Sequence, residues 1–169
     1  MLSQFHALEQ ATADRYANDL ELEFLATVGQ EFTDRRALYE RFEAIEDQLV
    51  EETYQLLQQK YPDVLQVKGM DFAAKWKADT VRVIRYLAAA VLLDDQSTFQ
   101  ERFLLWFQTV MKAFGVRRNC YLTYEALKVV FHTHLTRDQY LLVEPLLQLT
   151  QEMLGGTLEE FQSQSQFSN

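Results

Sequence analysis

Hydrophobic positions recur along this chain at steps of three and four, and that spacing predicts one helix after another. Over residues 1–29, Leu2, Phe5, Leu8, Leu20, Phe24 and Val28 fall at helical spacing among polar neighbours. The stripe is thin, so this extension needs a partner surface to be stable. Thr33 or Asp34 is placed to cap a second helix, in which Leu38, Phe42, Ile45, Leu49 and Leu56 share a face. Pro62 biases Tyr61 away from helical geometry, so the helix should end there, with a loop over 62–70.

A third helix is expected from about Asp71 to Leu92, closed by Asp94 and Asp95. Ser97-Thr-Phe-Gln100 reads as a capping box. Phe99, Phe103, Phe107, Val110 and Phe114 then give a strongly apolar face, with Gly115 as the C-cap. A helix over about Tyr121–His134 follows. Thr136-Arg-Asp-Gln139 is a second capping box and starts a last helix. Pro145 should kink that helix and Gly155-Gly156 should stop it, leaving residues 155–169 as a frayed polar tail. No internal repeat or linker interrupts the pattern. The reading is one all-α domain over 1–169, with roughly seven helices and an N-terminal helical extension at 1–30.

Composition sharpens this picture in three places. Glycine (5) and proline (2) are scarce in a chain with 48% hydrophobic residues, which favours long helices over short strands. The formal net charge of −9 disfavours nucleic acid and anionic membranes as partners, because phosphate binding rests on Lys and Arg. Cys120 is the only cysteine, so no intrachain disulfide forms. No signal peptide is read at the N-terminus, and the longest apolar run, Leu87–Leu93, is too short to span a bilayer. A cytoplasmic protein is the expectation.

Chemistry-bearing motifs are few. His132 and His134 are two apart on a helix and cannot chelate one metal together. One axial histidine suffices for haem, but neither stands where a globin places its proximal ligand. Cys120 has no basic neighbour at fixed spacing except Arg117 and Arg118, and Glu51-Glu52 and Glu159-Glu160 read as solvated faces. No Gly-rich phosphate loop, catalytic triad or metal-ligand set emerges, so no enzymatic activity is expected. Phe99, Phe103, Trp106, Phe107 and Phe114 read as core, which does not preclude lining a ring-shaped ligand.

One stretch stands out. Ala73–Leu87, AAKWKADTVRVIRYL, gathers Lys75, Lys77, Arg82 and Arg85 around a single acid, Asp79, in an acidic chain. Trp76, Asp79, Val83 and Tyr86 or Leu87 share a helical face, with Lys75, Arg82 and Arg85 flanking it. A carboxylate on a largely apolar face needs donors. An ion pair to Lys75 or Arg82 is one solution, contributing about 0.3–0.5 kcal/mol when exposed. A ligand with N–H donors facing Asp79 and acidic groups facing the cations is the other.

That second pattern has a parallel. KWKADTVRVIRYLAAAVLLDD resembles the chromophore-bearing helix of the phycobiliproteins, where a Lys-Cys-x-x-Asp core leads into a Tyr-rich, Arg-containing helix. EDQLVEETYQLLQQKYPDV is similar to the family's helix that ends in a Pro-containing turn, and Tyr124-Glu-Ala-Leu-Lys128 to its Tyr-x-Glu-Ala-Leu-Lys stretch. The similarity covers residues 40–154 in register. It implies a globin-like fold of phycobiliprotein type, with N-terminal helices used for subunit pairing, hence a homodimer or homo-oligomer. It implies that Asp79 accepts hydrogen bonds from bilin pyrrole nitrogens, that Lys75 lies near a propionate, and that Arg85 is structural or on the propionate side. Trp76 stands where the bilin-attaching cysteine is expected, Ala78 replaces an arginine and Val83 a tyrosine. A thioether at the family site is therefore impossible. The chain looks more like the non-haem globins associated with bilin biosynthesis: a non-covalent binder of bilin, or a partner of haem oxygenase or a bilin reductase. The expected ligand residues are Asp79, Trp76, Lys75, Arg82, Arg85 and Tyr86. The alternative is a ligand-free globin-like sensor or interaction domain.

Overall fold

A computed structural model describes residues 2–67 and 70–156, without the side chains of residues 2–4, 67, 70 and 71. The architecture is all-α, as the periodicity predicts: α1 (Leu2–Ala11), α2 (Asp19–Lys60), α3 (Ala73–Leu93), α4 (Gln96–Phe99), a π-helical turn (Gln100–Leu104), α5 (Leu105–Phe114), α6 (Arg117–His134) and α7 (Arg137–Gly155). The expected loop after Pro62 holds one two-residue antiparallel pairing, β1 (Gln66–Val67) with β2 (Met70–Asp71). No helix among the described residues is long and apolar enough to cross a membrane.

Two expected boundaries are corrected. No helix starts at Thr33 or Asp34: α2 is one helix of 42 residues, about 63 Å long at 1.5 Å per residue. Thr33 spends its hydroxyl inside the helix, on the Gly29 carbonyl at 3.1 Å, instead of capping a new one. The actual start is Asn18, whose side chain accepts from the Glu21 amide while Glu21 reaches back to the Asn18 amide. Nor does Ser97 cap the helix after α3. Asp95 does so two residues earlier, accepting from the Thr98 amide at 3.0 Å. Asp94 ends α3 in the left-handed region at φ 49°, held by Arg35, whose guanidinium also donates to the Val91 carbonyl.

Other signals stand where the sequence put them. Thr136 and Gln139 form their capping box. Gly115 caps α5 at φ 69°. Helix α7 runs on through Pro145, which has no N–H to offer the carbonyl one turn back at Leu141, a residue on the exposed face. The tail expected at 155–169 lies, beyond Gly156, outside the described residues.

The core forms where α2, α3, α5, α6 and α7 meet. Leu38, Phe42, Leu49, Leu87, Leu127 and Leu147 are nearly or fully sealed from solvent, and the Phe42 and Phe131 rings meet edge-on at 5.3 Å. Truncating either ring to alanine costs about 3–5 kcal/mol on the usual scale for buried phenylalanine. The chain ahead of Leu38 contributes little: there the buried apolar core holds only Val28 among the described residues. Leu20, Leu22 and Phe32 are exposed there.

Candidate functional site

The positively charged stretch forms one wall of a cleft. On α3, steps of three and four bring Lys75, Trp76, Asp79, Thr80 and Val83 to the same side. Phe107, Met111 and Phe114 line the facing side from α5, and Asn119, Cys120, Thr123 and Tyr124 from α6, with Val64, Leu65 and Phe72 near the hairpin. The cleft and its open mouth together hold about 690 Å³ of empty space. Its lining is mostly apolar with a few convergent polar groups, the usual composition of a small-molecule site.

Asp79 carries the charge. Its carboxylate lies 3.0 Å from the Lys75 ammonium and 3.4 Å from an Arg82 guanidinium nitrogen. The Asp79 side chain is only 18% exposed, whereas Lys75 and Arg82 are half-exposed. Both ion pairs drawn from the spacing therefore form, with the acid toward the interior and the cations at the rim. The Lys75 ammonium also stands 5.9 Å from the Phe114 ring centre.

Trp76 is tied down. Its indole N–H donates to the Thr123 hydroxyl at 2.9 Å, and its ring packs tilted against Tyr54 at 6.1 Å. Tyr54 in turn sits under Lys77, whose ammonium is 4.3 Å from the ring centre and 2.7 Å from Glu51. Hydrogen bonds from Lys77 and Gln55 hold the Glu51 carboxyl below its usual range. The tryptophan is thus a strut between α3 and α6 that leaves one edge on the cleft.

Two expected residues do not join the site. Arg85 is six positions from Asp79, about 240° round the helix, and faces α2. There its guanidinium makes a bidentate pair with Glu46, both contacts at 2.7 Å, beside a second groove lined by Tyr39, Phe42 and Glu43. Tyr86 stacks on Phe103 with centroids 4.0 Å apart, also outside the cleft. Arg82 reaches the site only through Asp79, at its rim. The structure brings together Lys75, Trp76 and Asp79, and adds groups that sequence reasoning passed over. Asn119 and Thr123, and Cys120 and Tyr124, are i, i+4 pairs on α6, the spacing that would have marked them as one face.

Burial governs the ionisable groups of that face. It pushes the Cys120 thiol up to about 12, with Asp79 adding to the effect. It raises the Tyr124 phenol well above its ordinary range, with Cys120 and Asp79 again contributing. Both groups stay protonated at neutral pH, so Cys120 is a poor nucleophile. The histidines lie elsewhere: the His132 ring meets Tyr140 edge-on at 5.1 Å, and His134 Nε2 is 2.7 Å from Glu52. The two acids expected as a solvated face, Glu51 and Glu52, thus each have a cross-helix partner.

Comparison with known proteins agrees with this architecture. A family model for phycobilisome proteins matches residues 8–154, which is most of the chain. No curated protein matches it. Phycobiliproteins are non-catalytic, and among the described residues no group of three or more His, Cys, Asp or Glu is placed to hold a metal. With the helical order above and a match from α1 to α7, the chain belongs to the phycobilisome protein family and carries its globin-like fold.

Proposed function

We propose that this chain binds a linear tetrapyrrole without a covalent bond in the cleft between α3, α5 and α6. It serves bilin metabolism as a carrier or as a platform for haem oxygenase or a bilin reductase, and is not a covalent light-harvesting subunit. The observation that carries the reading is Asp79: an acid turned into an apolar cleft, with Lys75 and Arg82 beside it at the rim. A bilin presents pyrrole N–H groups along its body and propionates at its edge, which suits an inner acceptor and outer cations. Trp76 at the attachment position removes the covalent route, and the protonated Cys120 does not replace it.

The energetics are sufficient. Hydrogen bonds to a charged group contribute about 1.5–3 kcal/mol each, and micromolar affinity requires about −8 kcal/mol in all. The space of about 690 Å³ includes an open mouth, so the pigment sits partly exposed. Titrating the protein with biliverdin and following the pigment's absorption tests this. Asp79→Asn keeps the shape and removes the charge; it should weaken binding by about tenfold or more. Equal affinity for both proteins would remove Asp79 from the site.

A pigment-free interaction domain is favoured by one observation, the hydrogen bond that pins Trp76 to Thr123. Trp76→Ala separates the two readings. In the carrier the ring provides a stacking surface and its loss weakens biliverdin. In the pigment-free domain the ring blocks the cleft, and biliverdin binds only to the variant.

Self-association is part of the proposal. Leu20 (77% exposed) and Leu22 (52%) project from the first turns of α2, where a second copy of the chain would cover them.

A further inference from the structure

The inner wall of the cleft holds one polar group that the fold does not use. Tyr124 lines the cleft and is only 4% exposed. Its neighbours are engaged: the Asn119 amide donates to the Val64 carbonyl, and Thr123 accepts from Trp76. The Tyr124 hydroxyl makes no hydrogen bond to a described residue. Among the described residues no fully sealed side-chain oxygen or nitrogen lacks a partner, so this hydroxyl is not sealed; it opens on the cleft. Buried polar groups are almost always satisfied, and one left without a protein partner beside a cleft points to a ligand.

The chemistry of the two inner groups is complementary. An ionised carboxylate is an acceptor only, whereas a phenol that burial keeps neutral has a proton to give. Cys120, one turn before Tyr124 on the same face, is a weak donor that competes for little. A ligand that suits both groups has N–H donors for Asp79 and an acceptor oxygen farther in.

We infer that Tyr124 is a specificity-determining residue of the pigment site: its hydroxyl donates to a terminal lactam carbonyl of the tetrapyrrole while Asp79 holds the N–H groups of the body. This rests on the tetrapyrrole reading and adds a choice to it. Linear tetrapyrroles end in lactam carbonyls; porphyrins carry similar propionates and lack those oxygens. The site therefore favours the opened chain over the closed ring, by a polar contact as well as by shape.

The test is a pair of absorption titrations of the full chain, with biliverdin and with protoporphyrin IX, on the natural protein and on Tyr124→Phe. Loss of one neutral hydrogen bond should weaken biliverdin about tenfold and leave any porphyrin affinity unchanged. The unfolding temperature of the ligand-free variant should not fall, because the hydroxyl has no protein partner to lose. Unchanged biliverdin affinity in Tyr124→Phe overturns the inference and leaves the tetrapyrrole reading standing. A drop in the ligand-free unfolding temperature also overturns it, by showing that the hydroxyl serves the fold. Failure of the natural protein to bind biliverdin overturns both.

Discussion

The proposed function rests on side chains whose surroundings contradict their chemistry. Asp79 is an acid facing an apolar cleft, and its two cationic neighbours are half-exposed, so each ion pair is a rim contact of small energy. That weakness is useful, because Lys75 and Arg82 can turn toward a ligand's acids without a large loss of stability. Substituting either cation with alanine should weaken biliverdin binding two- to tenfold, with a steeper salt dependence in the natural protein than in the variant; binding titrations at low and high salt read both. That Trp76 and Asp79 share one helical face was readable from their spacing, and the structure places both on the cleft. Arg85 and Tyr86 were not separable from them, since charge and family position suggested a ligand role while the helical angle aimed Arg85 at Glu46. Tyr124 was passed over because its neighbour on the cleft, Asp79, lies 45 positions away in sequence, and only the folded chain sets α3 and α6 on opposite walls of one cavity.

At the scale of the element, the local signals that held were those with both partners a few residues apart. Thr136 and Gln139 satisfy each other within one turn, so the capping box could be read before any packing was known. The expected break at Thr33 failed because a threonine ahead of charged residues looks the same whether it caps a helix or bonds back into one. The true start of α2 carries a pH signature. Hydrogen bonds from Arg15, and then from the Asn18 amide, hold Glu21 down to about 2, from an ordinary value of 4.5. A carboxyl lowered in the folded state contributes fully above pH 4.5 and loses that contribution as pH falls toward about 2. Amide exchange at Glu21 and Leu22 should therefore accelerate, relative to the intrinsic rate, across that window, and Arg15→Ala should show much of the acceleration already at neutral pH. A second element-scale constraint lies where α7 ends against α6. A Cβ on Gly155 would stand 2.6 Å from the Tyr121 Cα and 2.7 Å from its amide nitrogen. Backbone cannot yield as a side-chain tip can, so Gly155→Ala should cost about 1–3 kcal/mol or more by overpacking, seen as a lower midpoint in denaturant unfolding.

At the scale of the whole molecule, the chain divides by burial into a packed body from Leu38 onward and an arm in which, among the described residues, Val28 is buried while Leu20, Leu22 and Phe32 are exposed. The thin stripe in the sequence foretold this, because residues spaced for one helical face but flanked by charge cannot build a core alone. The proposed self-association would cover these residues, and a single chain's periodicity does not encode such a contact. Leu20→Glu combined with Leu22→Glu should leave the body's unfolding unchanged while shifting the natural protein's self-association toward monomer, read by sedimentation at several concentrations. A cleft between α3, α5 and α6, exposed leucines on the arm and no cysteine at position 76 are the features on which the proposed pigment carrier rests. The most direct measurement of that account is a circular-dichroism titration of the ligand-free protein with biliverdin in the pigment's visible band. The account predicts an induced signal that saturates at one pigment per chain, disappears on denaturation, and leaves no pigment on the denatured polypeptide. No induced signal at tens of micromolar pigment, or pigment that stays on the chain after denaturation, would contradict it.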